Sequence, residues 1–136
     1  MYNLVSVDFN SNIVYNIVRG GDDMCTKSQL NNVTLSVAEE AKRVFGEILD
    51  AVVLYGSYAR GDFDEESDID IMVRINCSKE DLKKYRFNLS HFTSVLSVEN
   101  DVTVSVIIVD SPTYEKYKRH LPFYENVERE GLKIAW

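Results

Sequence analysis

The stretch that most constrains this chain lies between residues 51 and 75, where two apolar runs enclose an acidic loop. The first run, residues 51–55, stops at Gly56-Ser57, and the second opens with Asp68-Ile69-Asp70-Ile71. Side chains alternate along a strand, so Asp68 and Asp70 share one face while Ile69 and Ile71 share the other. Two carboxylates side by side repel each other unless a cation lies between them. Mg²⁺ suits such a pair, because it takes hard oxygen ligands from one or two carboxylates and completes its shell with water and phosphate.

The upstream half of the stretch supplies a matching anion site. A strand that ends in Gly-Ser and turns into a short helix presents N–H groups with no partner inside the helix. Gly56 lets a phosphate approach the backbone, and the Ser57 hydroxyl adds a donor, although Ser57 also reads as a plain turn residue. Arg60 carries a guanidinium suited to phosphate oxygens; pairing with Asp62 or Asp64 is the other reading of that side chain. Asp62, Asp64, Glu65 and Glu66 read as a solvated loop. Phosphate donors beside metal-binding carboxylates are the equipment of nucleotidyl transfer.

These residues resemble the motif of the nucleotidyltransferases of the DNA polymerase β type: Gly-Ser, ten residues (here 58–67), then Asp-x-Asp. Gly-Ser-Tyr-Ala-Arg-Gly followed by Ser-Asp-Ile-Asp looks like the minimal nucleotidyltransferases of prokaryotes. A weaker echo lies in Leu121-Pro122-Phe123-Tyr124 and Glu128-Arg129-Glu130-Gly131, which resemble an ending common in these small proteins. The resemblance implies an α/β (α+β) fold, a small mixed β-sheet with helices packed against it. It implies ATP or another NTP as substrate, with Gly56, Ser57 and Arg60 at its phosphates. One or two Mg²⁺ would be held by Asp68 and Asp70. It also implies a third catalytic and metal-binding carboxylate on a neighbouring strand. Asp101 is the only acid on the polar face of the alternating run 101–109, where Thr103 and Ser105 share that face. Asp101 therefore reads either as the third ligand or as a turn residue where the strand begins.

Length and charge narrow the function classes. At 136 residues the chain is one domain, spanning 1–136, and 45% apolar content predicts a packed core. A net charge of −7 argues against the broad basic surface used for nucleic acids; it fits a small nucleotide or a basic protein partner. Cys25 and Cys77, in a chain without an export signal, predict free thiols in the cytoplasm. No apolar run approaches the ~18 residues of a membrane helix, and no zinc spacing is present.

The flanking elements follow from periodicity and caps. Residues 1–24 read as a hairpin around Asn10-Ser11-Asn12, or with their second apolar run as a short helix ending at Gly20-Gly21. Leu30, Val33, Val37, Ala41, Val44 and Ile48 predict a helix over 28–48, with Ser28 as cap and Gly46 ending or fraying it. Ser78 opens a second helix carrying Leu82, Tyr85, Leu89, Phe92 and Leu96 on one stripe. Ser111-Pro112 predicts a third, with Ser111 as cap. Leu121-Pro122 breaks it, a short helix ends at Gly131, and residues 132–136 form an edge strand.

Within the resembling family, stand-alone members often serve as antitoxins paired with a small helical toxin of the HEPN type, and some add AMP to a tyrosine of that toxin. The resemblance therefore implies a HEPN-type protein partner. Two alternatives stand beside it: adenylylation of a small molecule, as aminoglycoside nucleotidyltransferases do, and a binding antitoxin that neutralises by contact alone.

Overall fold

Leu30, Val33, Val37 and Ala41 recur every three or four residues, and the chain is helical there, each of the four 1% exposed or less. The computed structural model describes residues 27–135, so the hairpin or helix expected in residues 1–24 lies outside the described residues. The first helix, α1, runs Lys27–Phe45, which puts Ser28 inside its first turn rather than at the cap. Gly46, at φ 53°, ends it and opens a 3-10 turn, Gly46–Ile48.

Four strands form one mixed sheet in the order β3-β2-β1-β4: β1 (Leu49–Tyr55), β2 (Ile69–Ile75), β3 (Val104–Asp110) and β4 (Leu132–Ala135). β1 pairs antiparallel with β2 and β4, while β2 and β3 run parallel. Parallel neighbours need a crossover, and helices α3 (Leu82–Tyr85) and α4 (Ser90–Asn100) supply it. The α+β sheet with packed helices expected from the sequence is the architecture observed.

The expected single helix after Ser78 is divided. Ser78 does organise its start, its hydroxyl accepting from the Asp81 N–H at 3.1 Å. Beyond Tyr85, however, Asn88 N–H donates to Tyr85 O and Ser90 N–H to Phe87 O, bonds spanning three residues instead of four. That tighter winding turns Leu89 inward to 2% exposure and leaves Phe87 outside at 74%.

Strand periodicity divides the apolar residues between two layers. Leu54, Ile69, Ile71 and Ile75 pack under α1 together with Leu89 and Leu96. On the opposite face Met72 and Val109 meet Tyr114 and Val127, which come from α5 (Ser111–Tyr117) and α6 (Pro122–Glu130). The cap of α5 is Asp110, whose side chain accepts from the Thr113 N–H at 2.8 Å. Ser111, expected in that role, instead places its hydroxyl 2.9 Å from Asp50 Oδ2 and 3.1 Å from the Ile75 carbonyl. Arg74 pairs with the same Asp50 oxygen at 2.8 Å and lies over the Tyr114 ring, fastening α5 to the sheet. Tyr114 in turn donates its hydroxyl to Glu128 of α6. Gly131 ends α6 as expected, and a Cβ there would meet the Val127 carbonyl at 2.4 Å.

The α1 face carries the stability. Ile71 is fully buried in its centre, so Ile71→Ala should cost ~2–5 kcal/mol of unfolding free energy. Urea titration checks this; a loss under about 0.5 kcal/mol, the scale of a surface change, would mean that the packing is not as described.

Candidate active site

The phosphate turn is built by the end of β1. Gly56 stands at φ 76°, ψ −157°, and its carbonyl accepts from the Ala59 and Arg60 N–H groups at 3.1 and 3.0 Å. The four-residue helix α2 (Ser57–Arg60) follows, and Gly61, at φ 85°, closes it with an N–H bond to Ser57 O at 2.8 Å. Tyr58 is buried and stacks on Phe63 at 4.4 Å, which ties the turn to the acidic loop. Asp64 shapes that loop: its side chain accepts from the Glu66 N–H and lies against the Ser67 hydroxyl.

Strand register then delivers the carboxylates. Tyr55 of β1 pairs with Asp70 of β2, and Asp70 pairs with Ser105 of β3, so the three form a row across one face. A Cβ on Gly56 would lie 2.5 Å from Asp70 Oδ2. The turn and the carboxylate thus touch only because residue 56 has no side chain. Burial pushes the Asp70 carboxyl above its ordinary value, and the charge of Asp68 adds to the rise; Arg60 opposes it. Burial, with the Asp70 charge, pushes the Tyr55 hydroxyl up to about 12.

The two carboxylates line different clefts. Gly56, Ser57, Arg60 and Asp70 line a cleft of 350 Å³, with Tyr55, Phe123, Asn126 and Glu130 completing its wall. Asp68 lines a second, of 620 Å³, together with Asp101, Glu65, Glu66 and Thr103. The structure therefore brings Gly56, Ser57, Arg60 and Asp70 into one cleft, while Asp68 lines the other.

Arg60 and Asp101 settle differently. Arg60 pairs with Asp62 at 3.1 Å, one of its two expected partners, and reaches Glu130 of α6 at 3.4 Å. Asp101 is not on a strand: it is the left-handed C-cap of α4, at φ 50°, ψ 43°, and β3 begins three residues later. Among the described residues no three His, Cys, Asp or Glu side chains form a metal-binding group, and Asp101 lines the cleft of Asp68 and not that of Asp70. The position beside Asp70 on β3 belongs to Ser105. Two carboxylates still fit Mg²⁺, which draws its other ligands from water and phosphate. Burial and the Asp68 charge disfavour the ionised Asp70 carboxyl, and a cation between the two carboxylates would offset that.

Phe123, Asn126 and Glu130 were not assigned to the site from sequence. The ending in which they fall carried a family echo, but their approach to Asp70 depends on α6 folding back over β1 and β2.

The nucleotidyltransferase domain family matches residues 36–134. A protein of Methanocaldococcus jannaschii named "Putative protein adenylyltransferase" is 31% identical over 98 residues, which cover 71% of this chain and 89% of that one. A crystal structure of a nucleotidyltransferase from Sulfolobus solfataricus, itself described as putative, shares the fold at a TM-score of 0.50. It is 24% identical, with 78% of each chain covered. A chain of a toxin–antitoxin crystal structure with AMP-PNP is similar at a TM-score of 0.44 and 20% identity, over 72% of this chain and 69% of that one. No helix among the described residues is long and apolar enough to cross a membrane. With the family matched across both carboxylate positions and through the last helix, the chain belongs to the nucleotidyltransferase domain family and is an enzyme of nucleotidyl transfer.

Proposed function

We propose that this protein moves AMP from ATP to a hydroxyl of a partner protein in the cytoplasm, and that the acceptor is a tyrosine of a HEPN-type toxin that it thereby silences. The observation that supports the chemistry best is the contact of Gly56 with Asp70, which sets phosphate donors and a metal-seeking carboxylate in one cleft. A protein acceptor is suggested by the name of the Methanocaldococcus jannaschii relative. The toxin rests on the motif resemblance.

In this reading Ser57 and the turn that follows Gly56 hold the β- and γ-phosphates. Arg60, anchored by Asp62 and Glu130, uses two of its five N–H donors on them and turns the others to phosphate oxygens. Asp68 and Asp70 hold Mg²⁺. When bound, that ion neutralises phosphate charge and polarises the phosphoryl group under attack. Tyr55, pushed up to about 12, keeps its proton at neutral pH, so it is a neutral donor beside Asp70 and not a base. The acceptor oxygen bonds to the α-phosphorus, the bond to the pyrophosphate oxygen breaks, and the hydroxyl proton passes to water.

A second reading, neutralisation by binding alone, draws on Ser105, which stands beside Asp70 where a third carboxylate would assist the acceptor. Label transfer from α-³²P-ATP into a lysate of the source organism, with Mg²⁺ or with EDTA, tests both readings. Mg²⁺-dependent label on one small protein is expected, with the label on tyrosine. Label on a small molecule would overturn the protein acceptor. No label in any fraction, with ATP still bound, would overturn the transfer and leave binding alone.

A further inference from the structure

One side of α6 runs along the nucleotide cleft, and its chemistry changes along the way. Phe123, Asn126 and Glu130 lie at helical spacing, and all three line the cleft that holds Ser57 and Asp70. The helix rises ~10 Å from Phe123 to Glu130, so the aromatic end and the end that tethers Arg60 are distinct places. Phe123 is 41% exposed, so part of its ring is open to the cleft that it lines. Its two aromatic neighbours both meet it edge to face, Tyr55 at 5.5 Å and 89° and Tyr124 at 5.3 Å and 78°. Neither stacks parallel on it, so among the described residues the exposed part of the ring has no stacked partner. Arg129 donates to Asn126 Oδ1 at 2.8 Å, which fixes the amide and leaves its NH₂ group to donate.

We infer that this end of the cleft is the base subsite: a purine stacks on Phe123 and accepts a hydrogen bond from Asn126 through a ring nitrogen, while its phosphates lie at Ser57 and Arg60. The inference rests on the nucleotidyl-transfer reading and adds to it the part of the substrate that no motif residue addresses. A cleft of 350 Å³ is at the lower end of the range for small-molecule sites, which leaves room for one nucleotide. A purine offers a larger face than a pyrimidine, so ATP and GTP should bind more tightly than CTP or UTP.

Calorimetric titration with ATP and with inorganic tripolyphosphate, both with Mg²⁺, separates the base from the phosphates. Phe123→Ala should weaken ATP binding ~5- to 150-fold, the range for losing one base–aromatic stack, and leave tripolyphosphate unchanged. Phe123→Trp should retain ATP, with indole fluorescence that ATP quenches and tripolyphosphate does not. Unchanged ATP affinity in Phe123→Ala would place the base elsewhere while the phosphate site stands. Equal weakening of both ligands would make Phe123 a support of α6 and overturn the subsite. Wild type that binds neither ligand would overturn the nucleotide reading itself.

Discussion

Asp70→Asn should lower AMP transfer by about a thousandfold or more while leaving the unliganded protein at least as stable as wild type. The rate loss follows from removing a ligand of an ion whose charge stabilisation amounts to several kcal/mol, at tenfold per ~1.4 kcal/mol. The stability gain follows from the raised carboxyl of Asp70, held up by burial and by Asp68. An acid whose value is raised on folding contributes stability below its unfolded value, and that contribution is lost as pH rises through the folded one. Above that folded value the wild type has lost it, whereas asparagine has no charge to bury. The advantage of Asp70→Asn in EDTA should therefore be absent near pH 3, grow as pH rises through the carboxylate range and then level off. Thermal unfolding from pH 3 to 8, with and without Mg-ATP, measures this. Mg-ATP should raise the wild-type midpoint, by ~2.7 kcal/mol of stabilisation at a hundred times its dissociation constant, and raise the variant's much less. A variant less stable than wild type in EDTA at pH 7 would show that Asp70 holds the fold together and does not strain it.

Gly56→Ala should damage both stability and rate, through two separate causes. The backbone at φ 76°, ψ −157° lies in a region that residues with a side chain avoid, at ~1–3 kcal/mol. The added methyl would also sit 2.5 Å from Asp70 Oδ2, within 3.5 Å of its Cβ, so the carboxylate must swing away. A displacement of ~1 Å at a reacting site costs ~100-fold in rate, and that loss should come on top of the lower unfolding free energy. Combining Gly56→Ala with Asp70→Asn separates the causes. The strain cost should persist in the double variant, but the further loss of rate should vanish because the ligand is already gone. Wild-type transfer by Gly56→Ala, measured as initial rates at saturating ATP, would show that the turn and the carboxylate are not coupled.

Much of this was legible along the chain. The helical spacing of Leu30, Val33 and Val37 marked α1, and the alternation around Asp68 and Asp70 marked β2 and its two faces. Glycines at 46, 61 and 131 marked helix ends, because each acts on its immediate neighbours. The errors came where two local signals competed. Asp110 and Ser111 both cap well, and Asp110 took the role while Ser111 was drawn to Asp50 across the sheet. Asp101 had two readings, third ligand or turn residue where the strand begins, and it stands in the turn: the bonds from its N–H to the Ser97 and Val98 carbonyls close α4 there.

The sequence by itself determined the groups on offer: the Gly56-Ser57 turn proposed for the phosphates, the carboxylates of Asp68 and Asp70, and a buried isoleucine face to hold them. These depend on spacing within one strand–turn–strand unit, where period and reach are set by the backbone. Only the tertiary structure decided which residues from elsewhere face that unit. It put Ser105 next to Asp70 through the parallel register of β2 and β3, and it brought Phe123, Asn126 and Glu130 over the cleft. Contacts between Arg60 and Glu130, 70 residues apart, depend on how α6 docks through Tyr114, Tyr124 and Val127. Packing, not local spacing, sets that docking, because apolar burial is non-directional and is satisfied only by the whole arrangement.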